Sequence, residues 1–173
     1  MSLPQPRDPA GPYRICVVCL GNICRSPIAE QVLRVETARA GLGSAVRIDS
    51  SGTGSWHIGA PMDPRAASAL RMHGYGTEHV ARRFDPEWYG SRDLFLAMDL
   101  DNLDDLRALA PDPETAQERV RLFRAFAPGL GPNPEVPDPY YGGDDGFAAV
   151  LSMVDAAAKG LTDDLAALLG PAR

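Results

Sequence analysis

Apolar and polar positions along this chain switch repeatedly between strand-like and helix-like spacing. Tyr13 to Cys19 carries Ile15, Val17 and Val18 in a short apolar run, the pattern of a strand buried in a parallel sheet. Pro27 then opens a stretch where Ile28, Val32 and Val35, with Ala29, Leu33 and Ala38, form one helical face to about Arg39, before Gly41 and Gly43 stop it. Val46 to Asp49 reads as a second strand. Asp63-Pro64 supplies an N-cap and first-turn pair, and Ala66, Ala67, Leu70 and Met72 continue helically to Gly74. Asp85-Pro86 repeats that start signal for a shorter helix. Asp93 to Met98 predicts a third strand, Asp101 to Leu109 a helix and Val120 to Phe123 a fourth strand. Phe147 to Leu169 predicts a long alanine-rich helix with a candidate interruption at Gly160.

Strands alternating with helices predict an α/β fold: a single-domain three-layer sandwich with a central parallel sheet of about four strands flanked by helices. Two stretches fall outside the pattern. Residues 1–12 are polar and proline-rich and predict a disordered N-terminal extension, leaving 13–173 as the domain. Residues 127–146 hold five prolines and five glycines in twenty positions. An irregular loop of that length inside a compact domain is usually functional or disordered.

Composition narrows the function classes. A chain of 173 residues, 45% hydrophobic and 23% charged, is long enough to bury one ordinary core. A net charge of −6 disfavours nucleic acid or an anionic membrane as main partner, though one local cradle can still bind an anion. No run approaches the roughly 18 to 20 apolar residues of a membrane span, and no apolar signal core precedes Tyr13. The expectation is a cytoplasmic protein, with export independent of a signal peptide left open. Cys16, Cys19 and Cys24 lie within nine positions, an odd cluster that is no disulfide scaffold and suits a reducing compartment. The single lysine, Lys159, against sixteen arginines reads as coding bias without mechanism.

The chemistry concentrates where the first strand passes into the first helix: Cys19-Leu20-Gly21-Asn22-Ile23-Cys24-Arg25-Ser26. Such a loop aims successive backbone N–H groups inward, and the helix dipole adds positive potential, a nest suited to a dianion. Cys19 enters it and Arg25 closes it. Beside N–H donors and a guanidinium, the Cys19 thiol is stabilised as thiolate. Arg25 offers a planar fork for two phosphate oxygens, which lysine cannot match. Cys16, in mid-strand, reads as core. Cys24 either packs passively or, sharing the loop with Cys19, forms a reversible disulfide with it under peroxide. Asp99, Asp101, Asp104 and Asp105 read mostly as a helix N-terminus with solvated carboxylates. His57, His73 and His79 are scattered, and structural roles are the default for each.

Val18 to Glu30, together with Ile48-Asp49-Ser50, Trp56, Asp63-Pro64-Arg65-Ala66, His73-Gly74, Ala97-Met98-Asp99, Asn102-Leu103 and Asp138-Pro139-Tyr140-Tyr141-Gly142, resembles the low-molecular-weight protein tyrosine phosphatases of bacterial type from Tyr13 to about Leu169. A bare C-x5-R is weak; the extended motif with D-P-Y-Y downstream is specific. The resemblance implies hydrolysis of phosphotyrosine through a cysteinyl-phosphate intermediate, with Cys19 as nucleophile, Arg25 binding phosphate and Asp138 as general acid and base. It makes Leu20, Gly21, Asn22, Ile23, Cys24 and Ser26 the phosphate-binding loop, with Ser26 donating to the Cys19 sulfur. Asn22, Ser50 and His79 would brace that loop, while Trp56, Tyr140 and Tyr141 would wall the pocket. Tyr140 and Tyr141 would also be candidates for phosphorylation. No metal or cofactor is implied. Partners would be phosphotyrosine proteins and a bacterial tyrosine kinase, with a monomer favoured.

Three other functions compete. A thiol-relay arsenate reductase needs distal cysteines, and none follows Cys24. An arginine phosphatase of the same family carries threonine where Ile23 stands. A non-catalytic phosphoprotein-binding module would need neither Cys19 nor Asp138.

Overall fold

The computed structural model describes residues 2–170. Four strands, β1 (Tyr13–Cys19), β2 (Val46–Gly52), β3 (Leu94–Ala97) and β4 (Val120–Leu122), form one sheet in the order β2-β1-β3-β4. Every pairing is parallel, with Ile15 opposite Ile48 and Leu94, and Phe95 opposite Val120. Five α-helices connect and flank them: α1 (Arg25–Arg39), α2 (Pro64–Met72), α3 (Leu100–Ala108), α4 (Pro113–Glu118) and α5 (Asp144–Leu169). Both faces of the sheet are covered, which explains the near-continuous apolar reading of β1 and β3. On one face Ile15 and Val17 meet the buried stripes of α1 and α5, including Ile28, Val32, Val150 and Val154. On the other, Cys16, Val18 and Phe95 pack with Phe84, Tyr89 and Leu106. Phe84 meets Tyr89 and Phe95 edge-on at centroid distances of 5.4 and 5.9 Å. The α/β fold with a four-stranded parallel sheet and the loop after the first strand is as the sequence predicts.

Several local expectations need correction. Helix α1 starts at Arg25, two residues before Pro27. Pro27 is tolerated there because the first four N–H groups of a helix lack partners in any case. The Asp85-Pro86 start yields only a 3-10 turn, Pro86–Gly90. Helix α5 begins at Asp144 and runs through Gly160 without interruption. A Cβ at Gly160 would lie 1.9 Å from the Phe126 carbonyl oxygen, so this glycine marks a close crossing of chain segments. Helix α4 was not anticipated, although Asp112 caps it by accepting the Thr115 N–H, the same Asp-Pro signal as at Asp63-Pro64.

The largest correction concerns the N-terminus. Residues 2–12 are not a free extension: Leu3 is buried, the Pro4 carbonyl accepts the Tyr13 hydroxyl at 3.0 Å, and Asp93 accepts the Arg7 N–H at 2.7 Å. Arg119 and Arg121 add hydrogen bonds to the carbonyls of Gln5 and Ser2. Low hydrophobicity hid this segment, because three of its anchors are backbone groups meeting side chains 86, 114 and 119 positions away. Met1 and residues 171–173 of the expected extension and domain lie outside the described residues.

Candidate active site

The cavity at the carboxyl end of β1 holds about 390 Å³ and is lined by Cys19, Ile23, Cys24, Arg25, Asp138 and aromatic side chains. The loop from Cys19 to Cys24 owes its curl to Asn22, whose φ of 58° is left-handed, a conformation asparagine adopts more readily than most residues. Asn22 is fully buried and its side chain is fully used. Its Nδ2 donates to Ser26 Oγ at 2.8 Å and Ser50 Oγ at 3.0 Å, and its Oδ1 accepts the Arg82 N–H at 2.9 Å. The Asn22 carbonyl pairs with His79 Nε2 at 2.6 Å. The expected braces Asn22, Ser50 and His79 therefore converge behind the loop. Burial pulls the His79 pKa below its ordinary value, despite that hydrogen bond.

Close approach to β2 completes the loop. A Cβ at Gly52 would sit 2.6 Å from the Leu20 carbonyl oxygen, and the Gly54 N–H donates to that same oxygen at 2.9 Å. Sequence reasoning missed Gly52, which follows Ser50-Ser51 at the strand end.

Cys19 Sγ lies 3.0 Å from Ser26 Oγ and 3.3 Å from the Asn22 nitrogen, two donors to a thiolate. Arg25 is almost wholly buried, and its Nη1 is held by Asp99 at 2.5 Å and by the Val136 carbonyl at 3.1 Å. Its Nη2 lies 3.7 Å from Asp138 Oδ2. Burial opposes the Arg25 charge, but Cys19, Asp99 and Asp138 outweigh it and hold the guanidinium above its ordinary range. Asp99 thus differs from its neighbours in the acidic run. It caps α3 by accepting the Asn102 N–H, and it also orients Arg25. Its position after the strand Leu94–Ala97, in the Ala97-Met98-Asp99 stretch that carries the resemblance, hinted at this.

Asp138 heads a turn of its own, its Oδ1 accepting the Tyr140 N–H at 3.0 Å while Oδ2 faces Arg25. Trp56, 71% exposed, is laid back over Gly54, where a Cβ would come within 2.0 Å of the indole. Tyr140 and Tyr141, which line the same cavity, meet edge-on at 4.9 Å, with Tyr141 95% exposed. His57, read from sequence as structural, also lines the cavity, 6.3 Å from the Tyr140 ring. Cys24 lines the cavity as well, while Cys16 is buried in β1 next to Ser51; all three cysteines are free thiols. Among the described residues no group of three or more His, Cys, Asp or Glu side chains is placed to hold a metal ion. None of the described helices is long and apolar enough to cross a membrane.

A buried thiol with two donors, a buried guanidinium with free donors and a carboxylate at the rim, opening between aromatic walls, can accept a phosphate ester and transfer its phosphoryl group. Known proteins agree with that chemistry. The family model for low molecular weight phosphotyrosine protein phosphatases matches residues 14–169. A low molecular weight protein-tyrosine-phosphatase of Streptomyces coelicolor is 51% identical over 150 residues, covering 86% of this chain and 91% of its own. The low molecular weight protein-tyrosine phosphatase A of Mycobacterium tuberculosis is 42% identical over 153 residues, 88% of this chain and 91% of its own. Among solved structures, a protein tyrosine phosphatase from Entamoeba histolytica superposes with a TM-score of 0.83 at 33% identity, covering 88% of this chain and 96% of that one.

Proposed function

This chain belongs to the low molecular weight phosphotyrosine protein phosphatase family and is a hydrolase of that class; from that premise we propose that Cys19 is its nucleophile, Arg25 its phosphate clamp and Asp138 its general acid and base. The observation that carries the assignment is the single cavity that brings all three together with Trp56, Tyr140 and Tyr141.

The Cys19 thiolate attacks phosphorus in line with the ester oxygen, forming the S–P bond as the P–O bond breaks. Asp138, protonated, gives its proton to the departing phenolate. The loop N–H groups and the Arg25 donors not engaged by Asp99 and Val136 take the equatorial oxygens, with the guanidinium held by those two partners before substrate arrives. Water then attacks the phosphocysteine, the Asp138 carboxylate removes its proton, and the thiolate leaves toward Ser26 Oγ and the Asn22 N–H. Asp99 keeps the guanidinium aimed; Ser50 and His79 keep the loop closed through Asn22.

The site's depth favours a long, flat ester. Cys19 is 2% exposed, so a phosphoryl group must project inward past Ile23 while an aryl ring lies between Trp56 and Tyr140. The substrates are phosphotyrosine proteins made by a bacterial tyrosine kinase, and the protein acts as a cytoplasmic monomer. The test is hydrolysis of phosphotyrosine, phosphoserine and phosphoarginine peptides of one sequence, with Cys19→Ser as the inactive control. Phosphotyrosine is expected to be turned over far faster than the other two. Equal rates would remove the aromatic walls from the selection.

A further inference from the structure

The catalytic loop and the loop that carries Asp138 come from opposite ends of the chain, and Asp138 itself sits in a proline- and glycine-rich segment. On its N-terminal side the segment is fastened at Glu135 and Val136: the Val136 N–H donates to Met98 O at 2.8 Å, Arg124 donates to Glu135 O at 3.0 Å, and Glu135 Oε2 accepts the Leu100 N–H at 2.9 Å. Beyond Asp138, the hydrogen bonds that fasten residues 139–143 to a part of the chain distant in sequence come, among the described residues, from one side chain, the Gly146 N–H to the Gly143 carbonyl being local. Arg65 Nη2 donates to Tyr140 O at 2.9 Å and Arg65 Nη1 donates to Gly142 O at 3.0 Å. The guanidinium also stacks over the rings of Phe147 and Tyr140, at 4.6 and 5.6 Å.

Arg65 is itself fixed to the nucleophile's loop. Its Nε and Nη2 grip the two Asp63 oxygens at 3.1 and 3.0 Å. The Asp63 N–H in turn donates to the Ile23 carbonyl, inside the phosphate loop, at 2.8 Å. A continuous path therefore runs from Ile23 through Asp63 and Arg65 to Tyr140 and Gly142, the residues just after the acid. Planarity matters here: the fork holds a carboxylate on one edge and presents N–H groups to two carbonyls on the other, which a lysine ammonium cannot do.

We propose that Arg65 is a positioning residue that sets the register of Asp138 against the phosphate loop, so that general acid catalysis depends on it although it touches no reacting atom. This inference rests on Asp138 being the general acid. It assigns to Arg65 a function in proton delivery, with the phosphate cradle left to Cys19, Asn22 and Arg25.

The experiment compares kcat/KM for p-nitrophenyl phosphate, whose leaving group departs without help, with that for phenyl phosphate, which needs the proton. Because kcat/KM covers only the steps through S–P bond formation, the leaving group shows directly. The full-length wild type, Arg65→Ala, Arg65→Lys, Asp138→Asn and the Arg65→Ala/Asp138→Asn double variant are assayed alongside thermal midpoints and inhibition by inorganic phosphate. General acid catalysis contributes about 10²- to 10⁴-fold, so a misplaced acid should forfeit about 10-fold or more of phenyl phosphate turnover. The expected result is that loss in Arg65→Ala, a smaller one in Arg65→Lys, and little change in p-nitrophenyl phosphate turnover or phosphate inhibition. Arg65→Ala should add no further selectivity in the Asp138→Asn background. Equal losses on both esters in the Arg65 variants, or no loss, while Asp138→Asn remains selective, would overturn the role of Arg65 alone. Equal losses in Asp138→Asn would instead overturn the assignment of Asp138.

Discussion

Two of the three cysteines share one small loop, yet their surroundings give them different chemistry. Cys19 has two hydrogen-bond donors and the Arg25 charge nearby, whereas burial, with Asp63, Cys19 and Asp138 adding to it, pushes the Cys24 thiol up to about 12. Peroxide should therefore oxidise Cys19 first, to the sulfenic acid. Cys24 then attacks that sulfur, the S–O bond breaks, and water leaves as the disulfide forms. A thiol so reluctant to ionise makes this second step slow. Wild type inactivated by peroxide should regain activity in dithiothreitol, Cys24→Ser should be lost permanently, and bound phosphate should protect both. Equal recovery of the two proteins would leave Cys24 as packing. His79 makes a second prediction at this scale. Its pKa in the folded protein is held down by burial, so the unfolded chain binds the proton first. Stability should then fall as pH drops through about 6.5, the unfolded value, toward the folded one. Thermal midpoints measured between pH 8 and 5 should decline less steeply in His79→Gln, which keeps a donor for the Asn22 carbonyl.

Helix α5 shows how an element can override its own composition. Glycine in a helix interior costs up to about 1 kcal/mol against alanine, which is why Gly160 suggests a break. Tertiary contact reverses the sign. Alanine there would meet a backbone oxygen at 1.9 Å, and overpacking of that kind costs about 1–3 kcal/mol. Gly160→Ala should therefore lower the urea midpoint, and a raised midpoint would show that the crossing with Phe126 relaxes freely. The same distinction separates what could be read in the chain from what could not. β1, β3 and α1 declared themselves because their periodicity is local, and the Cys19–Ser26 loop because its residues are adjacent. Gly52, Arg65, the Asp99–Arg25 pair and the docking of Leu3 depend on partners distant in sequence, so no spacing rule reveals them. Helix α4 is the exception, since Asp112-Pro113 carried the same start signal used elsewhere.

Across the whole molecule, the two halves of the site are built with unequal permanence. The phosphate loop leaves β1, which is paired on both sides by β2 and β3, and its carbonyls and side chains are tied into β2, Arg82 and His79. It can come apart only with the sheet. The segment around Asp138 is tethered at its edges, by Glu135 and Val136 before it and by Arg65 after it. Heating should consequently separate two abilities that share one cavity. Proton delivery fails at the lower temperature, while the cradle continues to hold phosphate until the fold itself melts. Over that interval the protein is no longer a competent hydrolase for demanding esters but remains a receptor for the anion.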